Sequence, residues 1–316
     1  MIKTELETDF EIATSFGGQL GLGLVSERYG PRVLNPEAAY QFHDTDHSQR
    51  VARRARVLLE AIRKETNGYV NRRMIALADF IAKRHDTMID FEERTETVGS
   101  FEKVLMKRDI GNNERRSAQE AIIFMDWYNY HLKKPVFNSD HKEVTREGIM
   151  VTVPGYDPGL KTVIQPNLTR FTGVVARSVA LADLASATAS PVRFLYDGDS
   201  LFREEQLDIF RALSSDVPLN DGQKEFYRSR GLEWTNSQVS FAEGRVARLN
   251  EDLNGLPENT KRAVLAVLNK GPETIEAVRL NTKRRTQMSF EELMIDFGYL
   301  VDTRVQHINR SHLLAA

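Results

Sequence analysis

From about residue 50 onward, apolar residues recur at steps of three and four, and strand-like alternation is scarce. That period belongs to helices, whose buried face repeats every 3.6 residues, and not to strands. The pattern therefore predicts an all-α fold. Val51, Ala55, Leu58, Leu59 and Ile62 mark one helix face, with arginines at 50, 53, 54, 56 and 63 on other faces. Met74, Leu77, Ala78, Ile81, Ala82 and His85 mark a second, and Ala118, Ala121, Ile122 and Met125 a third within 115–130. Another helix is expected from about Leu168 to Ala187, with Phe171, Val174, Val175, Ser178, Val179, Ala182 and Asp183 along one side. Further amphipathic segments follow at 201–213, 221–254, 257–268 and 272–297.

Between these stripes the chain is punctuated. Two prolines and two glycines within 154–159 interrupt helix. The polar stretch 92–113 reads partly as loop. Asn35-Pro36-Glu37 reads as an N-cap followed by proline at the first helical position. The glycine-rich run Phe16-Gly17-Gly18-Gln19-Leu20-Gly21-Leu22-Gly23 lacks the strand and lysine of a phosphate loop, so a flexible lead-in is expected there. The division that follows is an N-terminal extension (1–35), a site-bearing core (36–190) and packed C-terminal helices (191–316).

Composition narrows the chemistry. With 43 basic against 45 acidic residues, no global field favours nucleic acid. Neither a signal peptide nor an apolar run long enough to span a bilayer is legible, which points to a cytoplasmic protein. The absence of cysteine excludes disulfides, thiolate nucleophiles and sulfur-ligated metals. A transition-metal site must then be built from imidazole and carboxylate, which suits manganese, iron or magnesium and also admits zinc.

Five of the seven histidines lie between residues 43 and 141. His85 ends an apolar stripe and is followed by Asp86. Asp183 lies four residues beyond Val179 on a buried face, and His47 precedes the Val51 stripe. A buried carboxylate without a partner is costly, and a buried imidazole needs both nitrogens satisfied. One divalent ion shared by His47, His85, Asp86 and Asp183 would meet all of these needs at once. Such an ion lowers the pKa of water and readies it to attack phosphorus.

These residues resemble the HD superfamily of metal-dependent phosphohydrolases, in which a helix-borne histidine, a His-Asp pair and a distant aspartate bind metal. The three elements here are Phe42-His43-Asp44-Thr45-Asp46-His47, Lys83-Arg84-His85-Asp86 and Ala180-Leu181-Ala182-Asp183. Asn113-Glu114-Arg115-Arg116-Ser117-Ala118, the segment 162–168 and the segment 198–205 are similar to a narrower bacterial group whose substrates are mostly unassigned. The run His85-Asp86-Thr87-Met88-Ile89-Asp90 is similar to guanosine-tetraphosphate hydrolases, but Ile89 stands where those enzymes carry an acid. The resemblance implies an all-helical fold and a hydrolase acting on a nucleotide or small phosphorylated metabolite. Asp90 and Glu114 are the candidate acid/base groups, and His43 and Arg50 the candidate substrate contacts. Lys83, Arg84, Arg115 and Arg116 are weaker phosphate candidates, and Trp127 and Trp234 read as core. His131 and His141 leave a second metal open, and with it a di-iron oxygenase. A non-catalytic binding or sensing module is the other alternative, and 191–316 leaves room for a homo-oligomer.

Overall fold

The computed structural model describes residues 5–30 and 41–299 and is predominantly helical, with two small two-stranded antiparallel sheets. The Asn35-Pro36 helix start lies outside the described residues. Helix α1 (Glu5–Tyr29) comes first, then α2 (Thr45–Glu65) and α3 (Arg72–Arg84). A hairpin of β1 (Phe91–Val98) and β2 (Phe101–Arg108) leads to α4 (Asn112–Leu132) and α5 (Ser139–Met150). A second hairpin, β3 (Gly155–Asp157) and β4 (Thr162–Ile164), precedes α6 (Val174–Asp183) and α7 (Ser186–Ala189). The rest is α8 (Pro191–Glu205), α9 (Leu207–Leu213), α10 (Asp221–Asp252), α11 (Glu258–Val267), α12 (Gly271–Arg285) and α13 (Phe290–Asp296).

The main core is formed by the apolar faces of α2, α3 and α6, closed by α1, α4 and α5. Leu249 and Leu253 at the end of α10, with Ala263 and Val264 of α11, belong to the same cluster. The C-terminal helices thus complete the core as well as lying on it. Two smaller clusters hold them together, one around Phe202, Leu293 and Phe297 and one around Phe194, Ala242 and Val278. No helix among the described residues is long and apolar enough to cross a membrane.

Three expectations are corrected. The glycine run is not a flexible lead-in: it is the middle of α1, and its glycines are there for close approach. A Cβ on Gly17 would stand 2.6 Å from both Phe80 and Phe124 ring atoms, and one on Gly21 only 2.9 Å from the Lys83 carbonyl. Glycine removes the side chain that would hold α1 away from α3. The polar stretch after Glu92 is a β-hairpin turning at Gly99-Ser100, with Val98 opposite Phe101. Residues of β1 are exposed on both faces, so no apolar/polar alternation exists to announce the strand. Its far end is pinned by Phe101 stacked on Phe226, with ring centroids 4.8 Å apart.

Third, α6 starts at Val174 and not at Leu168, and Phe171 is 80% exposed. Buried Arg177 explains the difference. Its guanidinium donates to the carbonyls of Thr169 (2.6 Å) and Asp252, and holds 168–173 as a loop against α10.

Candidate metal centre

Each element delivers its side chain for a local reason. Asp44 caps α2 by accepting the His47 backbone N–H at 2.7 Å, which fixes His47 in the first turn. His43 lies before that cap. The helix does not extend back to it, so the two histidines do not share a helix face. His85 is the C-cap of α3, and the turn that follows is clamped by α1. Arg28 and Tyr29 donate to the Thr87 carbonyl at 2.5 and 3.1 Å, and the Tyr29 hydroxyl accepts the Ile89 N–H at 2.6 Å. Ile89 is buried with Val25 and Tyr29. Asp183 is the last residue of α6.

These four side chains meet. His47, His85 and Asp86 present ligand atoms that all lie within 4.8 Å of one another. His47 Nε2 is 3.2 Å from Asp183 Oδ1 and 3.5 Å from Asp86 Oδ2. His85 Nε2 is 3.0 Å from Asp86 Oδ2 and 3.7 Å from Asp183 Oδ1. The His85 ring is oriented by its other nitrogen, Nδ1, 2.7 Å from the Ala82 carbonyl. That contact makes Nδ1 the protonated nitrogen and leaves Nε2 free to act as a ligand.

Three tests favour a shared cation. His85 Nε2 is fully buried yet makes no hydrogen bond, despite its short distance to Asp86. Donors about 2.1 Å from one ion stand about 3.0–3.4 Å apart, and the observed separations are 3.0–3.7 Å. The donor set, two imidazoles and two carboxylates, suits manganese, iron, zinc or magnesium.

Electrostatics agree. Burial opposes charge on His85, but Asp86 and Asp183 outweigh it and hold the imidazole well above its usual range. Burial likewise pushes Asp86 up, and His85 and Arg108 pull it well below the carboxylate range. Asp183 is depressed against its burial by the adjacent imidazoles of His47 and His85. The carboxylates are therefore ionised, as ligands must be, and the proton on His85 is the one that a cation displaces.

A second ring of residues orients the first. Arg108, at the end of β2, donates from Nη2 to Asp86 Oδ1 and to Glu114 Oε1, both at 3.0 Å. Its Nη1 stands 2.8 Å from His43 Nε2. His43 Nδ1 contacts Glu204 Oε1, and Glu204 Oε2 accepts the N–H groups of Phe42 (2.9 Å) and His43 (3.1 Å). Burial would raise Glu204, but His43 and those N–H groups keep it below the usual range. Gln165, just after β4, donates to Asp183 Oδ2 at 3.3 Å. Its strand is tied to α10 through Thr162 Oγ1 to the Phe241 carbonyl (3.0 Å) and Arg245 to the Val163 carbonyl (3.1 Å).

The other candidates are distributed less favourably. Glu114 is buried beside the centre but is engaged, accepting the Gly111 N–H at 2.7 Å to cap α4 and pairing with Arg108. Asp90 does not join the cluster: its half-exposed carboxylate pairs with Arg116. Arg50 is held by Asp46 and, at 3.1 Å, by Asp197. Lys83 pairs with Asp79 (2.6 Å), Arg84 is buried against α1 with Nε on the Gly17 carbonyl (2.8 Å), and Arg115 bonds Asn112 at the surface. His131 sits exposed at the end of α4, its ring 4.3 Å from that of Trp127. His141 caps α5 and packs on Phe10. Among the described residues neither belongs to the buried His47, His85 and Asp86 group, so the second metal that the sequence leaves open finds no support in them. Trp127 is also 45% exposed and not core, whereas Trp234 packs in the Phe202 cluster.

Arg108, Glu204 and Gln165 are the residues that the sequence reading missed. Glu204 and Gln165 fall in segments that the sequence analysis singles out only by resemblance, without a role attached. Arg108 carried no signal, because its strand was itself unread.

Compared with known proteins, the chain matches no family model, no curated protein and no solved structure.

Proposed function

We propose that the protein is a metal-dependent phosphohydrolase of the HD type, acting on a nucleotide or small phosphorylated metabolite. The observation that carries this reading is the buried group of His47, His85 and Asp86, with Asp183 Oδ1 3.2 and 3.7 Å from the two imidazoles and His85 Nε2 without a hydrogen bond. A divalent cation held by these four side chains supplies Lewis acidity toward water and phosphoryl oxygens. The chain's own residues prepare the surroundings. Arg108 fixes the Asp86 carboxylate and offsets the charge of Asp86 and Glu114. Gln165 fixes Asp183. Glu204 holds His43 so that its Nε2 faces Arg108. Water is largely excluded, since the side chains of His47, His85 and Asp86 are at most 3% exposed and that of Asp183 15%. Asp183 is thus the open edge at which a substrate oxygen arrives.

Burial of the ligands also favours a second reading, a helical module whose metal serves structure or sensing. One experiment separates the two. Purified protein is loaded with manganese and assayed for phosphate release against a panel of nucleotides and phosphomonoesters. Turnover that disappears in Asp86→Asn and His85→Ala supports the hydrolase. Bound metal with no turnover on any substrate, or turnover retained in both variants, contradicts it.

A further inference from the structure

Four residues beyond Arg50, α2 carries a second, part-buried guanidinium, that of Arg54. Among the described residues Arg54 forms no ion pair, and its one hydrogen bond is long, 3.4 Å from Nη1 to the Ala182 carbonyl. Ala182 immediately precedes Asp183. His47, Arg50 and Arg54 are spaced by three and four, so they share a face of α2. Helical side chains lean toward the N-terminus, so Arg54 leans back toward the turn of His47. Burial lowers its pKa, with Asp197 and Asp183 opposing and Arg50 and Arg193 adding to the effect.

Arg193 reaches the same place from the first turn of α8. Its side chain is 40% exposed, and its guanidinium lies 3.8 Å from Asp46 and covers the Tyr196 ring at 5.2 Å. Asp46 is shared with Arg50, and Asp197 is taken by Arg50. Arg50 and Arg193 thus draw on Asp46 and Asp197, and the further carboxylate that acts on Arg54 is Asp183, itself a candidate metal ligand. The N-terminal end of α8, capped by Ser190 with Pro191 at its first position, adds the positive end of its helix dipole. A part-buried guanidinium without a direct ion pair, such as that of Arg54, has donors left to offer an anionic ligand.

We infer that Arg54 and Arg193 form an anion subsite beside the candidate metal centre, which takes a second, uncleaved phosphoryl group of the substrate. The inference rests on the phosphohydrolase reading and narrows it to substrates with at least two phosphoryl groups, such as nucleoside diphosphates or triphosphates. Guanidinium forks match phosphoryl oxygens in pairs, and the neighbouring Asp183 marks where the first phosphoryl group meets the metal.

Inorganic pyrophosphate is the probe. Its affinity for manganese-loaded protein is measured by calorimetry for wild type, Arg54→Gln, Arg54→Lys and Arg193→Gln. Wild type is expected to bind it, and each glutamine variant to bind about tenfold more weakly, the loss of a charge-assisted contact. Arg54→Lys recovers part of the loss. Manganese stoichiometry, read in the same samples, reports that the centre and fold are intact. Should Arg54→Gln fold poorly, the more exposed Arg193→Gln carries the test. No pyrophosphate binding by wild type, or equal binding by wild type and both glutamine variants, overturns the subsite even if phosphomonoesters are hydrolysed. Weakened pyrophosphate binding in a protein that hydrolyses nothing keeps the subsite and sinks the hydrolase.

Discussion

Replacing single glycines of α1 by alanine separates two opposing effects within one helix. Alanine is favoured over glycine in a helix interior by about 1 kcal/mol. At Gly23 a new Cβ meets nothing within 4 Å, so Gly23→Ala should stabilise by about that amount. At Gly17 the Cβ would lie 2.6 Å from ring atoms of Phe80 and Phe124, both in the main core. Rings packed at core density cannot withdraw by the ångström required, and overpacking of this kind costs about 1–3 kcal/mol or more. Gly17→Ala should therefore be destabilising by about 2 kcal/mol net. At Gly21 the obstacles are Arg84 Cγ at 2.7 Å and the Lys83 carbonyl at 2.9 Å. Backbone must move, and the backbone that moves is the last turn of α3, directly before His85 and Asp86. Gly21→Ala should thus lose about 1–2 kcal/mol and also weaken manganese binding, which Gly23→Ala leaves intact. Urea unfolding at equal slope, with manganese titrations on the same samples, gives both numbers. Stabilisation by all three substitutions would refute the packing of α1 on α3.

Four further outcomes follow from the charges. Manganese affinity should rise about tenfold per pH unit through neutrality, because the ion displaces the proton that Asp86 and Asp183 hold on His85; calorimetry in buffers of different ionisation enthalpy should show one proton released, and a pH-independent affinity would contradict the assignment. Without metal, the raised His85 stabilises the fold fully below its unfolded pKa of about 6.5, and that stability drains as pH climbs through the higher folded value. Metal-free protein should therefore melt progressively lower in alkaline buffer while the manganese form does not, and parallel curves would refute this. Burial and the adjacent Glu204 push Glu205 up to about 7 from 4.5, so ionising it weakens the fold as pH rises between those values. Glu205→Gln should gain on wild type across that window, to about 3 kcal/mol at most, and a gain independent of pH would contradict the cause. Arg108→Gln leaves Asp86 and Glu114 without their shared cation, and should destabilise the protein by about 3 kcal/mol, with chemical denaturation as the check.

What could be read in advance depended on whether a residue's role is periodic. The apolar stripes of α2, α3 and α6 are one-dimensional records of a buried face, so the helices and the inward direction of His85 and Asp183 were legible. The four candidate ligands followed, since buried polar groups on apolar stripes need one another. Failures occurred where packing is not periodic. The glycines of α1 read as flexible, because close approach to Phe80, Phe124 and the end of α3 is a property of the neighbouring helix. The exposed strand β1 carries no alternation. Arg108 and Glu204 act across 22 and 161 residues, on Asp86 and His43 respectively, and nothing local announces contacts of that span. Arg50 stands less than one turn from His47, but Asp197, 147 residues away, already holds it.

Metal content after equilibrium dialysis against manganese tests the central claim most directly. Wild-type protein should retain one equivalent per chain, while His85→Ala and Asp183→Asn, still helical by circular dichroism, should retain essentially none. Wild-type protein that retains no metal, or folded variants that keep a full equivalent, would show that these four side chains do not form a metal centre.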